Sequence, residues 1–200
     1  MLTEDKIPRV MNILLKEFLI DHTVSSLAQQ LGITRVGIWK ILKKLESDKL
    51  VVLTSLGNGK TSAYKVKLNW DNFLVEKNLS LSLAEESTRQ QRWRFNFAEL
   101  EKHVSFLLLF GSILHSPKEA NDIDVFSIIN NKEKFKIVNE ILLKIQQAQL
   151  KKIHSIALTE KEFEQELRNK NKAYIDALGK GVVLYGQENF VQFIKKLQTK

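Results

Sequence analysis

Two aspartates, Asp122 and Asp124, flank one apolar residue at the start of a strand-length apolar run that continues to Ile129. Side chains alternate along a β-strand, so both carboxylates are expected on one face while Ile123 points into the core on the other. Neighbouring carboxylates repel each other and lose hydration in such a place, which is costly unless a cation neutralises them. The spacing therefore predicts a divalent metal site, with two aspartates at a surface turn as the alternative.

The donor chemistry limits which ion the pair would bind. Carboxylate oxygens, in a chain with no paired histidines at helical spacing, favour Mg²⁺ or Mn²⁺ over zinc. The 200 residues include no cysteine, which excludes disulfides, thiolate zinc sites and cysteine nucleophiles.

A glycine–serine pair, Gly111-Ser112, ends a second apolar run of strand length, Val104–Phe110. Glycine lets a backbone approach a phosphate closely, and the serine hydroxyl with the following N–H groups can bind phosphate oxygens. Such a pair means little alone. Nine residues separate it from Asp122, so it is a candidate phosphate site close to the candidate metal site.

Positive charge is concentrated near the start of the chain. The sequence has 31 Lys and Arg against 23 Asp and Glu, a net charge of +8, with a pI near 9.5. Between Thr23 and Trp70 there are eight basic and two acidic residues, a net +6. This balance favours polyanionic partners such as nucleic acid or nucleotides, with a merely solubilising basic surface as the alternative.

Three helices are predicted in the same region from apolar residues at helical spacing. Thr23 and Thr34 are expected to cap the second and third helices, and Gly32 to end the second where a positive φ is needed. The first helix is expected to bury Ile7, Val10, Met11, Leu14 and Phe18. The third is expected to bury Ile38, Ile41, Leu42 and Leu45, which leaves a basic face outward.

A β-hairpin is predicted after these helices. The β-rich runs Leu50–Thr54 and Ala63–Leu68 are joined through Gly57-Asn58-Gly59-Lys60, a hairpin-turn pattern. Three helices followed by a hairpin, together with the sequence of residues 25–51, resemble the DNA-binding segment of winged helix-turn-helix transcription regulators. The resemblance covers most of residues 5–69.

This resemblance implies that the third helix lies in the major groove of double-stranded DNA and that the wing contacts the flanking backbone. A winged helix used for protein contacts is the alternative. The resemblance implies that Arg35, Val36 and Trp39 read base edges. It implies phosphate contacts by Lys40, Lys43, Lys44 and Lys60, and Thr34 at the helix cap completes the DNA-binding set.

The second half of the chain resembles another family. A strand, Gly111-Ser112, nine intervening residues and then Asp122-Ile123-Asp124 are similar to the signature of the DNA polymerase β-like nucleotidyltransferases, above all the minimal ones, over about residues 96–190. The resemblance implies that Asp122 and Asp124 are catalytic metal ligands for Mg²⁺ or Mn²⁺. It also implies that Gly111 and Ser112 bind the outer phosphates of a nucleoside triphosphate, with ATP expected.

The chain departs from that family at two points. Active relatives normally carry a third carboxylate on the next strand, where this chain has His154 or Ser155; His154 as a base and His154 as a structural residue both stay open. The arginine that often follows the glycine–serine pair is also absent. His115 and Lys118 could partly substitute for it, which makes Lys118 a candidate nucleotide-binding residue.

The sequence thus predicts two domains joined by a helical segment. Residues 1–70 form a winged helix, that is helices with a β-hairpin wing, and residues 71–95 a helical connector. Residues 96–200 form an α+β nucleotidyltransferase-like domain with a small mixed sheet flanked by helices. Within it we predict a helix around residues 135–145, a strand at Ile153–Leu158 and a capping box at Thr159 and Glu162.

The predicted function is that of a DNA-binding protein whose second domain transfers a nucleoside monophosphate from Mg-NTP to an acceptor hydroxyl. The alternatives are a transcription regulator whose degenerate second domain binds nucleotide or dimerises without catalysis, and two domains that act on one nucleic acid. A protein acceptor stays open, because similar minimal nucleotidyltransferases include antitoxins that adenylylate toxin partners; a homodimer stays open too.

The expected location is the cytoplasm. No apolar run reaches the roughly 18 to 20 residues of a membrane span, and the first residues do not resemble a secretory signal. No membrane partner is therefore expected.

Overall fold

A computed structural model of the chain describes residues 6–57 and 63–199. Within them the fold is mixed α/β, as expected, with two small sheets. The helices are α1 (Lys6–Lys16), α2 (Val24–Leu31), α3 (Arg35–Ser47), α4 (Phe73–Thr88), α5 (Gln91–Asn96), α6 (Lys134–Gln147), α7 (Glu160–Arg168), α8 (Lys172–Lys180) and α9 (Gln187–Thr199). The strands are β1 (His22–Thr23), β2 (Val51–Ser55), β3 (Tyr64–Leu68), β4 (Phe106–Phe110), β5 (Asp122–Ile129), β6 (Lys152–Thr159) and β7 (Val182–Tyr185).

The chain divides into two compact units, Met1–Leu79 and Ser80–Lys200. The division falls within α4, inside the segment that the sequence predicts as a helical connector. Every helix in the described part of the chain is too short or too polar to serve as a membrane span.

The first unit contains α1 to α3 and an antiparallel sheet in the order β1-β3-β2. The two predicted caps are confirmed. Thr23 accepts a hydrogen bond from the N–H of Ser26 and Thr34 one from the N–H of Gly37, and Gly32 ends α2 with φ 63°. The apolar positions predicted for α3 are all buried, so its basic residues face outward.

Three details of the first unit differ from the expectation or lie beyond it. The helix expected to reach Phe18 ends at Lys16, because the N–H of Ile20 bonds the carbonyl of Glu17 and tightens the chain into a turn. Strand β1 was not predicted, since two residues are too few to show an alternating pattern. Most of the predicted hairpin turn, including Lys60, lies in residues 58–62, outside the described residues.

The second unit is built on a four-stranded sheet in the order β6-β5-β4-β7. Strand β5 pairs antiparallel with β4 and parallel with β6, so the predicted mixed sheet is observed. The parallel pair needs a crossover connection, which α6 provides. The predicted strands and the α6 helix are therefore confirmed, with bounds shifted by a residue or two.

The two faces of this sheet are covered differently. Ile123 and Val125 of β5 pack in a mainly aliphatic core with residues of α6 and with Trp93 of α5. On the other face Phe126 stacks on Tyr174 of α8 with 4.9 Å between ring centroids, and it contacts Phe163 of α7 edge-on at 5.6 Å. Asp122 and Asp124 lie on the same face as Phe126, because residues two apart on a strand share a face. They therefore stand at the start of β5, beside this layer of aromatic side chains.

In the segment Arg92–Phe95, Trp93 and Arg94 contact the rest of this unit, whereas Arg92 and Phe95 are exposed. Trp93 is buried, and Arg94 donates hydrogen bonds to the Leu184 carbonyl at 2.7 Å and to the Ser87 hydroxyl at 2.8 Å. Trp93 and Arg94 therefore have a packing role in this unit.

The capping box of α7 is confirmed and leads to a prediction. Glu162 Oε2 accepts from both the N–H and the hydroxyl of Thr159, each at 2.8 Å, and Lys132 Nζ lies 3.2 Å from the other oxygen. These donors, Thr159 first, lower the pKa of Glu162 to about 2. A lowered carboxyl pKa means that its contribution to stability is present above the ordinary value of 4.5 and is lost as pH falls towards about 2.

We expect the Glu162 carboxyl to titrate near pH 2 in the wild-type chain when followed by ¹³C NMR. In Thr159→Ala its pKa should rise only part of the way towards 4.5, because alanine removes the hydroxyl donor but keeps the backbone N–H that contributes most, and the chain should lose about 1 kcal/mol of stability from the missing cap. An unchanged titration of Glu162 in that variant would show that the Thr159 hydroxyl does not help to set its pKa.

Candidate metal and nucleotide site

The two predicted aspartates lie on one face of β5, as the alternation of the strand requires. Ile123 between them is fully buried on the other face. Asp124 stands opposite Phe110 of β4 on one side and opposite His154 of β6 on the other. The pairing of three strands therefore brings the residues after Phe110 and the side chain of His154 to the aspartates.

Asp122, Asp124 and His154 form the cluster that could hold a metal ion. One ligand atom from each lies within 4.8 Å of the others. His154 Nδ1 is 3.3 Å from Asp122 Oδ2 and 3.6 Å from Asp124 Oδ1. The side chains are 33%, 25% and 46% exposed in the order Asp122, Asp124, His154, so an ion from solvent can reach all three.

The Asp124 carboxylate is perturbed by its surroundings. Burial raises its pKa above the ordinary value, the negative charge of Asp122 adds to the rise, and His154 opposes it. A carboxylate that is partly desolvated beside a second one gains most from a bound cation. The repulsion and lost hydration of neighbouring carboxylates are also the reason for which the sequence predicts a metal here.

The separations within the cluster fit metal coordination. Two donors in neighbouring positions around an ion at about 2.1 Å lie about 3.0 to 3.4 Å apart. The distance from His154 Nδ1 to Asp122 Oδ2, 3.3 Å, lies in this range, and the distance to Asp124 Oδ1, 3.6 Å, is slightly longer. The residues present therefore suit a divalent cation without a large rearrangement of the strands.

Gly111 lies directly against the cluster. Its φ of 85° is in the left-handed region that favours glycine, and a Cβ at this position would be 2.4 Å from Asp124 Oδ2. Ser112, which follows, is exposed and starts a short 3₁₀ helix, Ser112–Leu114. The structure thus brings the predicted glycine–serine pair next to the aspartates.

We expect Gly111→Ala to destabilise the second unit by about 1 to 3 kcal/mol, since alanine adds left-handed strain and a collision. It should also weaken Mn²⁺ binding, because the added Cβ displaces the Asp124 carboxylate. Gly32→Ala is the control, with φ 63° but no described atom within 4 Å of the new Cβ. Equal Mn²⁺ affinity in Gly111→Ala and the wild type would contradict the role of this close approach.

His154 occupies the position on β6 that faces the two aspartates, because it is paired with Asp124. Ser155, paired with Val125, lies on the other face of the sheet. Ser155 lies with Ile153 beside a groove that Asn139, Leu142 and Gln146 of α6 also line. The site therefore has two carboxylates and one imidazole. Register between β5 and β6 is what distinguishes the two residues, and the sequence alone left both open.

Lys118 is not part of the cluster. It is exposed on the loop between Leu114 and Asp122, and its backbone carbonyl lies 3.5 Å from Lys151 Nζ. Its role as a nucleotide-binding residue stays a prediction.

The predicted DNA-binding residues of α3 are mostly exposed. Arg35, Lys40 and Lys44 face solvent, and Val36 is 66% exposed. Trp39 is half-buried and packs on Tyr64 with 5.2 Å between ring centroids, as a tryptophan at the margin of a helix stripe often does.

Lys43 is already engaged within the first unit. Its Nζ pairs with Glu46 at 2.7 Å and lies 5.0 Å from the centre of the Trp39 ring. A pocket of about 440 Å³ borders the N-terminal half of α3, with Thr23, Val24, Arg35, Val36, Trp39 and Tyr64 among its lining residues.

Comparisons of the chain with protein-family models, with curated proteins and with solved structures gave no match.

Proposed function

We propose that the second unit is a metal-dependent nucleotidyltransferase domain of the polymerase β-like type and that the first unit is a winged helix-turn-helix that binds double-stranded DNA. The reaction is transfer of a nucleoside monophosphate from an NTP to an acceptor hydroxyl. A bond forms between the acceptor oxygen and the α-phosphorus, the bond from that phosphorus to pyrophosphate breaks, and the hydroxyl proton passes to solvent.

One observation carries the transferase proposal: Asp122 and Asp124 meet His154 at the open end of the sheet, with Gly111 against Asp124. Carboxylates that face solvent beside a close backbone approach suit a metal–triphosphate ligand. A bound divalent cation would supply charge neutralisation on the triphosphate as pyrophosphate leaves. Mg²⁺ or Mn²⁺ fits the two carboxylates.

The chain's own residues have separate tasks in this proposal. Asp122 and Asp124 hold the cation, and the rigid strand pairing around β5 keeps their carboxylates in place. Gly111 leaves room for the Asp124 carboxylate, and the Ser112 hydroxyl binds outer phosphate oxygens. The spacing between the Gly111-Ser112 pair and the aspartates is set by β4 and β5, which are paired residue by residue from Phe106 to Phe110.

The DNA-binding proposal is supported by the outward face of α3. Thr34 caps the helix, so Arg35 and Val36 stand at its exposed N-terminal end, where a recognition helix meets base edges. Lys40 and Lys44 are exposed further along the helix and suit phosphate contacts.

A second candidate function is nucleotide binding without turnover. It is favoured by His154, which stands where active relatives of the proposed family normally carry a third carboxylate. His154 Nδ1 lies near both aspartates at 3.3 and 3.6 Å. In this version the second unit would sense nucleotide and the first would regulate transcription.

The experiment that separates the two follows pyrophosphate release by the full chain. It uses ATP, GTP, CTP or UTP with Mg²⁺ or Mn²⁺, with and without duplex DNA, and water can serve as the acceptor hydroxyl. Release above background, with formation of NMP or labelled product, supports the transferase. Background release under every condition, with NTP binding intact, removes the transferase and leaves the sensor.

A further inference from the structure

His154 faces the aspartate pair because β5 and β6 are parallel and in register. Asp124 is paired with His154, so the two side chains stand side by side on one face of the sheet. The ring nitrogen Nδ1 is the atom directed at both carboxylates, at 3.3 and 3.6 Å. A third donor is therefore already next to the other two, and it is nitrogen rather than oxygen.

A nitrogen donor changes which ions a site prefers. Mg²⁺ binds oxygen ligands and retains its water, whereas imidazole is a good ligand for first-row transition-metal ions. The 3.3 Å separation of His154 Nδ1 from Asp122 Oδ2 lies in the range expected for ligands in neighbouring positions around one ion, and the 3.6 Å separation from Asp124 Oδ1 is slightly longer. The exposure of His154, at 46%, leaves the ring accessible to an ion that arrives from solvent.

We propose that His154 is a metal ligand and that the cluster Asp122–Asp124–His154 selects first-row transition-metal dications over Mg²⁺. This inference rests on the metal site of the proposed function, and it adds the identity of the preferred ion. Mn²⁺ is the most demanding probe, because among these ions its ligand preferences are closest to those of Mg²⁺.

The first experiment measures binding of Mn²⁺ alone to the full chain, by the EPR signal of free Mn²⁺, and its displacement by Mg²⁺. We expect the wild type to prefer Mn²⁺ by at least about tenfold and His154→Asp to reduce that preference by about tenfold or more. His103→Asp is the matched control, a histidine-to-aspartate change outside the cluster, and should keep the wild-type ratio. An equal Mn²⁺ to Mg²⁺ ratio in the wild type and His154→Asp would overturn the proposal.

The second experiment needs no variant and so does not depend on correct folding of His154→Asp. Co²⁺ bound to the wild type should produce a paramagnetically shifted imidazole N–H resonance in the NMR spectrum, which Mn²⁺ removes on competition. A Co²⁺ complex with unshifted histidine signals would overturn the proposal.

Failure of this inference is distinguishable from failure of the proposed function. Transition-metal binding through His154 with no pyrophosphate release would retain the inference and remove the transferase. Pyrophosphate release that requires Asp122 and Asp124, with a metal preference that does not depend on His154, would retain the transferase and overturn the inference.

Discussion

Asp122→Asn and Asp124→Asn are each expected to lower the rate of pyrophosphate release by at least about a thousandfold, or about 4 kcal/mol of transition-state stabilisation. Asparagine keeps the size of the side chain but removes the negative charge that would hold a divalent cation. Both residues lie within 4.8 Å of the same site, so either loss should remove the metal–triphosphate complex.

The measurement compares the variants with Asp176→Asn, an equivalent change at an exposed aspartate of α8 whose nearest described partner is Lys180 at 3.9 Å. Thermal unfolding of all three variants separates lost chemistry from lost structure. Pyrophosphate release at the wild-type rate in Asp122→Asn or Asp124→Asn would show that the reaction occurs elsewhere in the chain.

Replacement of Lys40 and Lys44 by alanine is expected to weaken binding to duplex DNA by tens of fold at low salt. Each phosphate contact contributes to the dependence of affinity on salt, so the slope of log K against log salt should decrease by about two in the double variant. Both lysines are exposed on α3, whereas Lys43 is paired with Glu46. Lys43 is therefore expected to contribute less than the other two.

Fluorescence anisotropy with a labelled duplex, over a range of salt concentrations, tests this expectation. Lys102→Ala with Lys136→Ala is the matched control, since it removes two exposed lysines of the second unit and so the same total charge. Equal losses in the two double variants would show that only net charge matters and that α3 is not the DNA-binding surface.

The sequence predicted the aspartate pair well because a short-range rule decides it. Strand alternation places residues two apart on one face, and the apolar run after Asp122 shows where the strand begins. The buried Ile123 and the cluster of Asp122 with Asp124 follow from that rule alone. The caps Thr23 and Thr34 were equally accessible, since a cap depends on residues within one helical turn.

Long-range pairing was beyond the sequence. Whether His154 or Ser155 faces the aspartates depends on the register of β6 against β5, and a shift of one residue would exchange them. No local pattern sets that register, because the two strands are joined through the helix α6. The candidate site could therefore be predicted to its first two ligands but not to its third.

The aromatic layer was also missed. Tyr174 stacks on Phe126, and Phe163 contacts Phe106 with 6.0 Å between ring centroids, although these residues are far apart in sequence. Helices α8 and α9 complete that face of the sheet. Apolar residues recur at helical spacing in α9, at Phe190, Phe193 and Ile194, but that spacing does not show which face of the sheet the helix covers. Tertiary packing, rather than propensity, accounts for their place in the fold.

A crystal structure of the chain with Mn²⁺ and a non-hydrolysable ATP analogue, with manganese located by anomalous scattering, tests the proposed metal and nucleotide site. We expect manganese bound by the carboxylates of Asp122 and Asp124, with the triphosphate against Gly111 and Ser112. Nucleotide bound elsewhere, or both carboxylates turned to solvent without metal at saturating nucleotide, would contradict it.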